Sequence, residues 1–299
     1  MGDESAFVNG RFVPASELLI SPADAGFVYG ATATDLVRTF RGRLFRLEDH
    51  LRRFRESCRI AAIPLEVSDA DLAAAAERLI AANRRQNAEL ALVMFATPGP
   101  LGRYAGKVAD GPPTIAMHTM PIRAARYRRL FTEGARLIVP SIRAPRSIAP
   151  RAKVRSRLHW WLAEHEARTR DPGAWALLVD EHESVTETAA ANLLAVVNGG
   201  VVTPPRSEVL NGISLNVTEE ICGWLGIPFV ERPLPLSELL RAEEAMLTGT
   251  MFCLAGVQRI DGAEYSWPGP VTERLQRAWM DLVGDDFVRE FTESTAFSG

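Results

Sequence analysis

The stretch Pro150-Arg-Ala-Lys153-Val-Arg-Ser-Arg-Leu-His-Trp-Trp161 holds one of the two lysines in a chain of 299 residues, the other being Lys107. The rest of the 34 basic residues are arginine, so an ammonium stands here in a chain that otherwise uses guanidinium. An arginine stays protonated, whereas a lysine taken out of water can lose its proton and form a Schiff base. Lys153 follows a proline-bounded loop and precedes two tryptophans, a setting that can partly desolvate an amine and make its free form available. Lys107, between Gly106 and Val108 in a glycine-rich loop, is the weaker candidate. Leu158, Trp161, Leu162 and His165 recur at helical spacing, so a helix is expected to open at Lys153 with these residues on one face.

Outward from this stretch the chain alternates strands and helices. Ala135 to Val139 reads as a strand leading into the loop of Ser141 to Pro150. Beyond the lysine helix, Ala174 to Val179, Asn192 to Val197 and Val201 to Thr203 read as strands, the last two joined at Asn198-Gly-Gly200. Ile213, Val217, Ile221 and Leu225 define a helix from Ser214 to Gly226. Strands at Ile227 to Arg232, Ala245 to Thr248 and Cys253 to Ile260 precede a final helix over Pro270 to Val283.

Toward the N-terminus the pattern differs. Asn9-Gly10 and Arg41-Gly42 punctuate two hairpins, and Ala25 to Gly30 between them is a glycine-bounded apolar segment. Asp49 to Ile60 is an amphipathic helix, and Ser68-Asp-Ala-Asp71 caps another that buries Leu72, Ala75, Ala76, Leu79 and Ile80. Strands follow at Glu89 to Phe95 and Thr114 to His118. The arginine-rich break near Pro121 to Arg129 marks an interdomain connection. The expected organisation is mixed α+β in two domains, with a smaller domain over residues 1–121, a connection over 122–129 and a larger domain over 130–299.

Composition bounds the function. A net charge of -3 with 47% hydrophobic residues describes an ordinary soluble chain and gives no reason to invoke nucleic acid or a membrane. Three widely spaced cysteines, Cys58, Cys222 and Cys253, form neither a disulfide framework nor a zinc pattern and fit the reducing cytoplasm. No metal site is expected.

Five pieces in order carry a resemblance: His50-Leu-Arg-Arg53-Phe, Lys153, Thr186-Glu187-Thr-Ala-Ala-Ala-Asn192-Leu-Leu, Leu210-Asn-Gly212-Ile213-Ser214, and Leu247-Thr-Gly249-Thr250. Together they resemble the fold type IV pyridoxal-phosphate enzymes, which include branched-chain and D-amino acid aminotransferases and aminodeoxychorismate lyase. The resemblance implies a larger domain with a barrel-like β core. It implies pyridoxal 5'-phosphate held as an internal aldimine on Lys153, with Glu187 facing the pyridine nitrogen and Leu210 against the ring. The phosphate falls to Arg53, Gly212, Ile213, Ser214, Gly249 and Thr250. A homodimer with its active site near the interface is also implied.

The activity so implied is transfer of an amino group between an amino acid and a 2-oxo acid. A lyase of the aminodeoxychorismate type is the alternative, and a non-catalytic binding protein of the same fold is a third reading. Substrate recognition departs from the better-known members: Thr34-Asp35 stands where an aromatic-acidic pair is usual, and Leu158 replaces a tyrosine. The candidate substrate residues are Tyr29, Thr34, Arg103, Arg143 and Arg146, with Arg151 and Arg155 also flanking the lysine.

Overall fold

In the computed structural model the described residues are 4–84, 88–145 and 150–293. They form two units, Met1–Ile122 with Ala152–Arg157, and Arg123–Arg151 with Leu158–Gly299.

The first unit is built on turn chemistry visible in the sequence. Asn9 and Gly10 adopt φ of 45° and 82°, and Arg41 and Gly42 adopt 52° and 73°, the left-handed geometry that tight hairpins require. The strands are β1 (Ser5–Val8), β2 (Arg11–Pro14), β3 (Ala33–Phe40), β4 (Arg43–Leu44), β5 (Leu90–Thr97) and β6 (Thr114–Pro121). They form one antiparallel sheet ordered β2-β1-β6-β5-β3-β4. A short α1 (Ala25–Val28) precedes β3, and α2 (Leu47–Ile60) and α3 (Asp69–Asn83) follow β4. Ser68 caps α3 by accepting from the Asp71 amide. The apolar stripes of α2 and α3 join Ala33, Val37, Leu92, Met94 and Met117 in one core. These strand residues alternate, so Thr34, Leu36 and Phe95 rise from the opposite sheet face. A short α4 (Gly102–Ala105) lies in the loop between β5 and β6.

The second unit opens with α5 (Arg128–Thr132) and contains β7 (Ala135–Ile138), α6 (Leu158–Arg170), β8 (Trp175–Val179), β9 (Val185–Thr188), β10 (Asn192–Val197) and β11 (Gly200–Thr203). It continues with α7 (Ile213–Leu225), β12 (Phe229–Glu231), α8 (Leu236–Leu239), β13 (Glu244–Gly249), β14 (Cys253–Ile260), β15 (Ala263–Glu264), α9 (Pro270–Val283) and α10 (Phe287–Glu293). Its nine-stranded sheet runs β12-β11-β10-β13-β14-β7-β8-β9 with β15 paired to β14 off this path, and β9 also pairs with β10 through Glu187 and Asn192. That pairing closes β10, β13, β14, β7, β8 and β9 into a ring, the barrel-like core expected for this unit.

Two local expectations fail around the quoted stretch. Lys153 opens no helix, since α6 begins five residues later at Leu158. The intervening segment is drawn out by pairing with β3: Val154 bridges Ala33, the Thr34 amide donates to the Lys153 carbonyl at 2.9 Å, and the Arg155 amide donates to Thr32 at 2.9 Å. The shared face of α6 also points outward. Leu158 and Trp161 are 71% and 70% exposed and Leu162 47%, while Ala163 and Ala167 pack on the core with Ala176 and Leu178. Periodicity finds a stripe; which stripe is buried depends on where a close approach to the sheet needs small residues.

Candidate active site

In the first unit the site is charged and buried. Asp35, on β3, is fully buried and takes hydrogen bonds from two residues of α2. Arg53 donates Nε to Oδ2 at 2.9 Å and Nη2 to Oδ1 at 2.8 Å, a bidentate pair, and His50 Nδ1 stands 2.7 Å from Oδ1. The three-residue spacing of His50 and Arg53 puts both on one helix face. Burial alone would raise the Asp35 pKa, but Arg53 and His50 outweigh it and hold the carboxyl well below the usual range. His50 is shifted down, because burial and the positive charges of Arg53 and Lys153 outweigh Asp35. A neutral His50 then donates Nδ1–H to Asp35.

One turn beyond Arg53, Ser57 joins α2 to the lysine segment. Its hydroxyl donates to the Arg53 carbonyl at 2.9 Å and accepts from the Lys153 amide at 3.0 Å. Lys153 is therefore held at both backbone polar groups, its N–H by α2 and its carbonyl by β3. Ser156 adds a hydroxyl bond to the Gly30 carbonyl at 2.7 Å.

In the second unit the site is made of backbone and small residues at one end of the ring. The tight β9–β10 connection sets Glu187 beside Asn192. The Asn192 amide donates to Glu187 Oε2 at 3.2 Å and to the Leu210 carbonyl at 2.9 Å, and the Leu210 N–H lies 3.3 Å from both Glu187 oxygens. Asn192 thus holds the glutamate and the leucine together. Gly212 is the N-cap of α7, where a Cβ would stand 2.0 Å from Asn192 Oδ1. A Cβ on Gly249 would meet the Ala190 carbonyl at 2.8 Å, so the β13–β14 turn carrying Thr250 lies against the β9–β10 turn.

These donors fit the cofactor that the resemblance implies. The N-terminus of α7 has no side-chain cap and no acidic residue in its first turn, while Ile213 and Ser214 are buried. Amides so placed suit an oxyanion such as a phosphate. Thr218, one turn on, braces this corner: its hydroxyl donates to the Ser214 carbonyl at 2.8 Å, lies 3.3 Å from Thr248 Oγ1, and accepts from Trp279 Nε1 at 3.2 Å.

The candidate substrate residues divide. Tyr29 is exposed, with the Arg103 guanidinium 5.6 Å from its ring centre. The buried Thr34 hydroxyl donates to the Met94 carbonyl at 2.9 Å. Arg143 forms an ion pair with Glu183 at 2.5 Å in the second unit. Arg146 lies outside the described residues. Sequence reading missed Asp35 as the partner of Arg53, missed Ser57, and named Asn192 only as part of a motif, without a role. A lone acid inside an apolar strand was a signal for the first, and a place beside Glu187 in the quoted motif was one for Asn192; a serine in a helix gave none.

The sequence profile of the amino-transferase class IV family matches residues 32–260. The chain belongs to that family. It is thus a pyridoxal-phosphate-dependent enzyme of fold type IV, with aminotransferase chemistry. Among curated proteins it is 26% identical over 278 residues to the D-alanine aminotransferase of Bacillus licheniformis, covering 92% of this chain and 95% of that one. Among solved structures it resembles the branched-chain aminotransferase of Thermoproteus uzoniensis, with a TM-score of 0.84, 25% identity and 97% of each chain covered. It also resembles 4-amino-4-deoxychorismate lyase from Pseudomonas aeruginosa, with a TM-score of 0.77, 29% identity, and coverage of 92% of this chain and 98% of that one.

Proposed function

We propose that this enzyme moves an amino group between an amino acid and a 2-oxo acid, with Lys153 as both Schiff-base lysine and proton carrier. The observation that carries the reading is the fixing of Lys153 at both backbone polar groups by Ser57 and Thr34. An amine that must reach the same carbon in every cycle needs such an anchor. Bound pyridoxal phosphate supplies an aldehyde and a protonated ring that draws electrons from the substrate Cα. With the cofactor bound, Lys153 Nζ would be the group that carries the proton to and from the substrate Cα. Glu187, oriented by Asn192 and Leu210, accepts the ring N–H and keeps it protonated. The amides of Ile213 and Ser214, the flanking Gly212 and Gly249, and the Thr250 hydroxyl hold the phosphate. Arg53 adds positive charge from a guanidinium that Asp35 orients. Leu210 packs on the ring.

The enzyme acts as a homodimer in the cytoplasm. The outward face of α6, with Leu158, Trp161 and Leu162, supports a second copy as its cover. Cys58 and Cys222 are buried free thiols, which fits a reducing compartment. Sedimentation at the mass of two chains is the expected result, and a monomer at micromolar concentration overturns the dimer.

The activity is tested by adding single L- and D-amino acids to the cofactor-loaded protein and following cofactor absorbance. Lasting conversion to the pyridoxamine form is expected, and Lys153→Ala should lose both turnover and the Schiff-base absorbance. Release of pyruvate from aminodeoxychorismate with no lasting conversion would assign the lyase reaction instead. Turnover retained in Lys153→Ala would remove the lysine from its role.

A further inference from the structure

The chain has no established partner for a substrate carboxylate, and the arginines near Lys153 are not equivalent. Arg143 is committed to Glu183. Arg103 lies over two tyrosine rings, 5.6 Å from Tyr29 and 4.8 Å from Tyr104. Arg155 differs in how its backbone is fixed. The antiparallel bridge of Val154 with Ala33 sets Lys153 opposite Thr34 and Arg155 opposite Thr32. Residues two apart in such a pair rise from one face. The Arg155 guanidinium bears this out, lying 5.1 Å from the ring centre of Phe95, which is itself opposite Thr34 in the β3–β5 register. Thr34, Phe95 and Arg155 therefore share one side of the sheet, and Lys153 lies two residues from Arg155 on the segment that pairs with β3.

From this geometry we propose that Arg155 binds the carboxylate of the amino acid substrate. The proposal rests on the aminotransferase reading. A carboxylate carbon is one bond, about 1.5 Å, from the Cα on which the lysine acts. Its partner must therefore approach from backbone close to Lys153, and two extended residues span only about 6.6 Å. The planar fork of an arginine matches a carboxylate bidentately, which a lysine cannot do. Among the described residues no carboxylate pairs with Arg155, and its pKa is drawn down by desolvation alone. A partly dehydrated guanidinium with no internal anion is ready for one from outside.

The test compares substrates that differ only in the carboxylate. L-Leucine and D-alanine are reacted with the cofactor-loaded enzyme beside their decarboxylated counterparts, 3-methylbutylamine and ethylamine, and the half-reaction is read by cofactor absorbance. Arg155→Met should lose roughly a hundredfold in kcat/KM for the reactive amino acid and change the amines less than about threefold. Arg155→Lys should recover only part of the loss. Calorimetric binding of 4-methylvalerate, which lacks the reacting amine, should weaken by a similar factor in Arg155→Met. Equal losses on amino acids and amines would mean a structural role, and an unchanged amino acid rate in Arg155→Met would mean none; either overturns the assignment while leaving the aminotransferase reading intact. A wild-type enzyme that converts no amino acid overturns both.

Discussion

The two units carry their candidate site residues by opposite means. The first commits charged side chains to a dry interior, where Asp35, His50 and Arg53 satisfy one another. The second spends almost no charge. It offers helix amides at Gly212, Ile213 and Ser214, two glycines at close approaches, and one carboxylate held by an asparagine. A buried ionic network is stable only while complete, because removing one partner strands the others in low dielectric. A cradle of amides is tolerant of charge changes and intolerant of volume. The two halves should therefore break under different substitutions.

The largest effect is expected from Asp35→Ala. It leaves Arg53 and His50 buried without their acceptor, and loss of one member of a buried pair costs about 3–5 kcal/mol. Chemical denaturation at pH 7 should show that loss, together with weaker cofactor binding as Arg53 loses its orientation. An effect below about 1 kcal/mol, the range of an exposed pair, would mean the network is not what orders the first unit.

The same network makes an acid-sensitive half. Asp35 and His50 both have folded pKa values below their ordinary ones, so the unfolded chain binds protons more readily than the folded one. Their stabilisation is present above the unfolded values and lost as the pH falls, from about 6.5 downward for His50 and from about 4 downward for Asp35. Unfolding free energy should decline from pH 7 to 5, and His50→Gln should flatten that decline.

The contrast also explains what the sequence disclosed. Asn9-Gly10, Arg41-Gly42 and the Ser68 cap are local devices, and each is where turn and capping chemistry puts it. The second unit's candidate residues could be named because Glu187, Gly212 and Gly249 lie in short contiguous motifs. The first unit's site was legible only in parts. Arg53 and Lys153 could be named, but their positions come from pairings 18 and 96 residues apart in the chain, with Asp35 and with Ser57. No local rule records that Val154 will pair with Ala33, so a segment able to start a helix was read as one. The faces of α6 show the same limit: spacing alone does not say which side the sheet accepts.

The smallest effect belongs to the uncharged half and tests it by volume. Gly212 has an ordinary φ of -68°, so alanine there carries no backbone strain. Its methyl would nevertheless stand 2.0 Å from Asn192 Oδ1, and the amide would have to turn away. That turn breaks the bonds from Asn192 to Leu210 and Glu187, which hold the proposed ring partner Glu187. The expected cost is about 1–3 kcal/mol, read as weaker cofactor binding with little change in the first unit's acid sensitivity. Gly223 supplies the control, because it lies in the same helix and a Cβ there meets nothing within 4 Å. Gly223→Ala should be neutral or stabilising by up to about 1 kcal/mol, the gain of alanine over glycine inside a helix. If Gly212→Ala binds cofactor as tightly as Gly223→Ala does, the close approach at the α7 N-cap is not what shapes the second unit's candidate cradle.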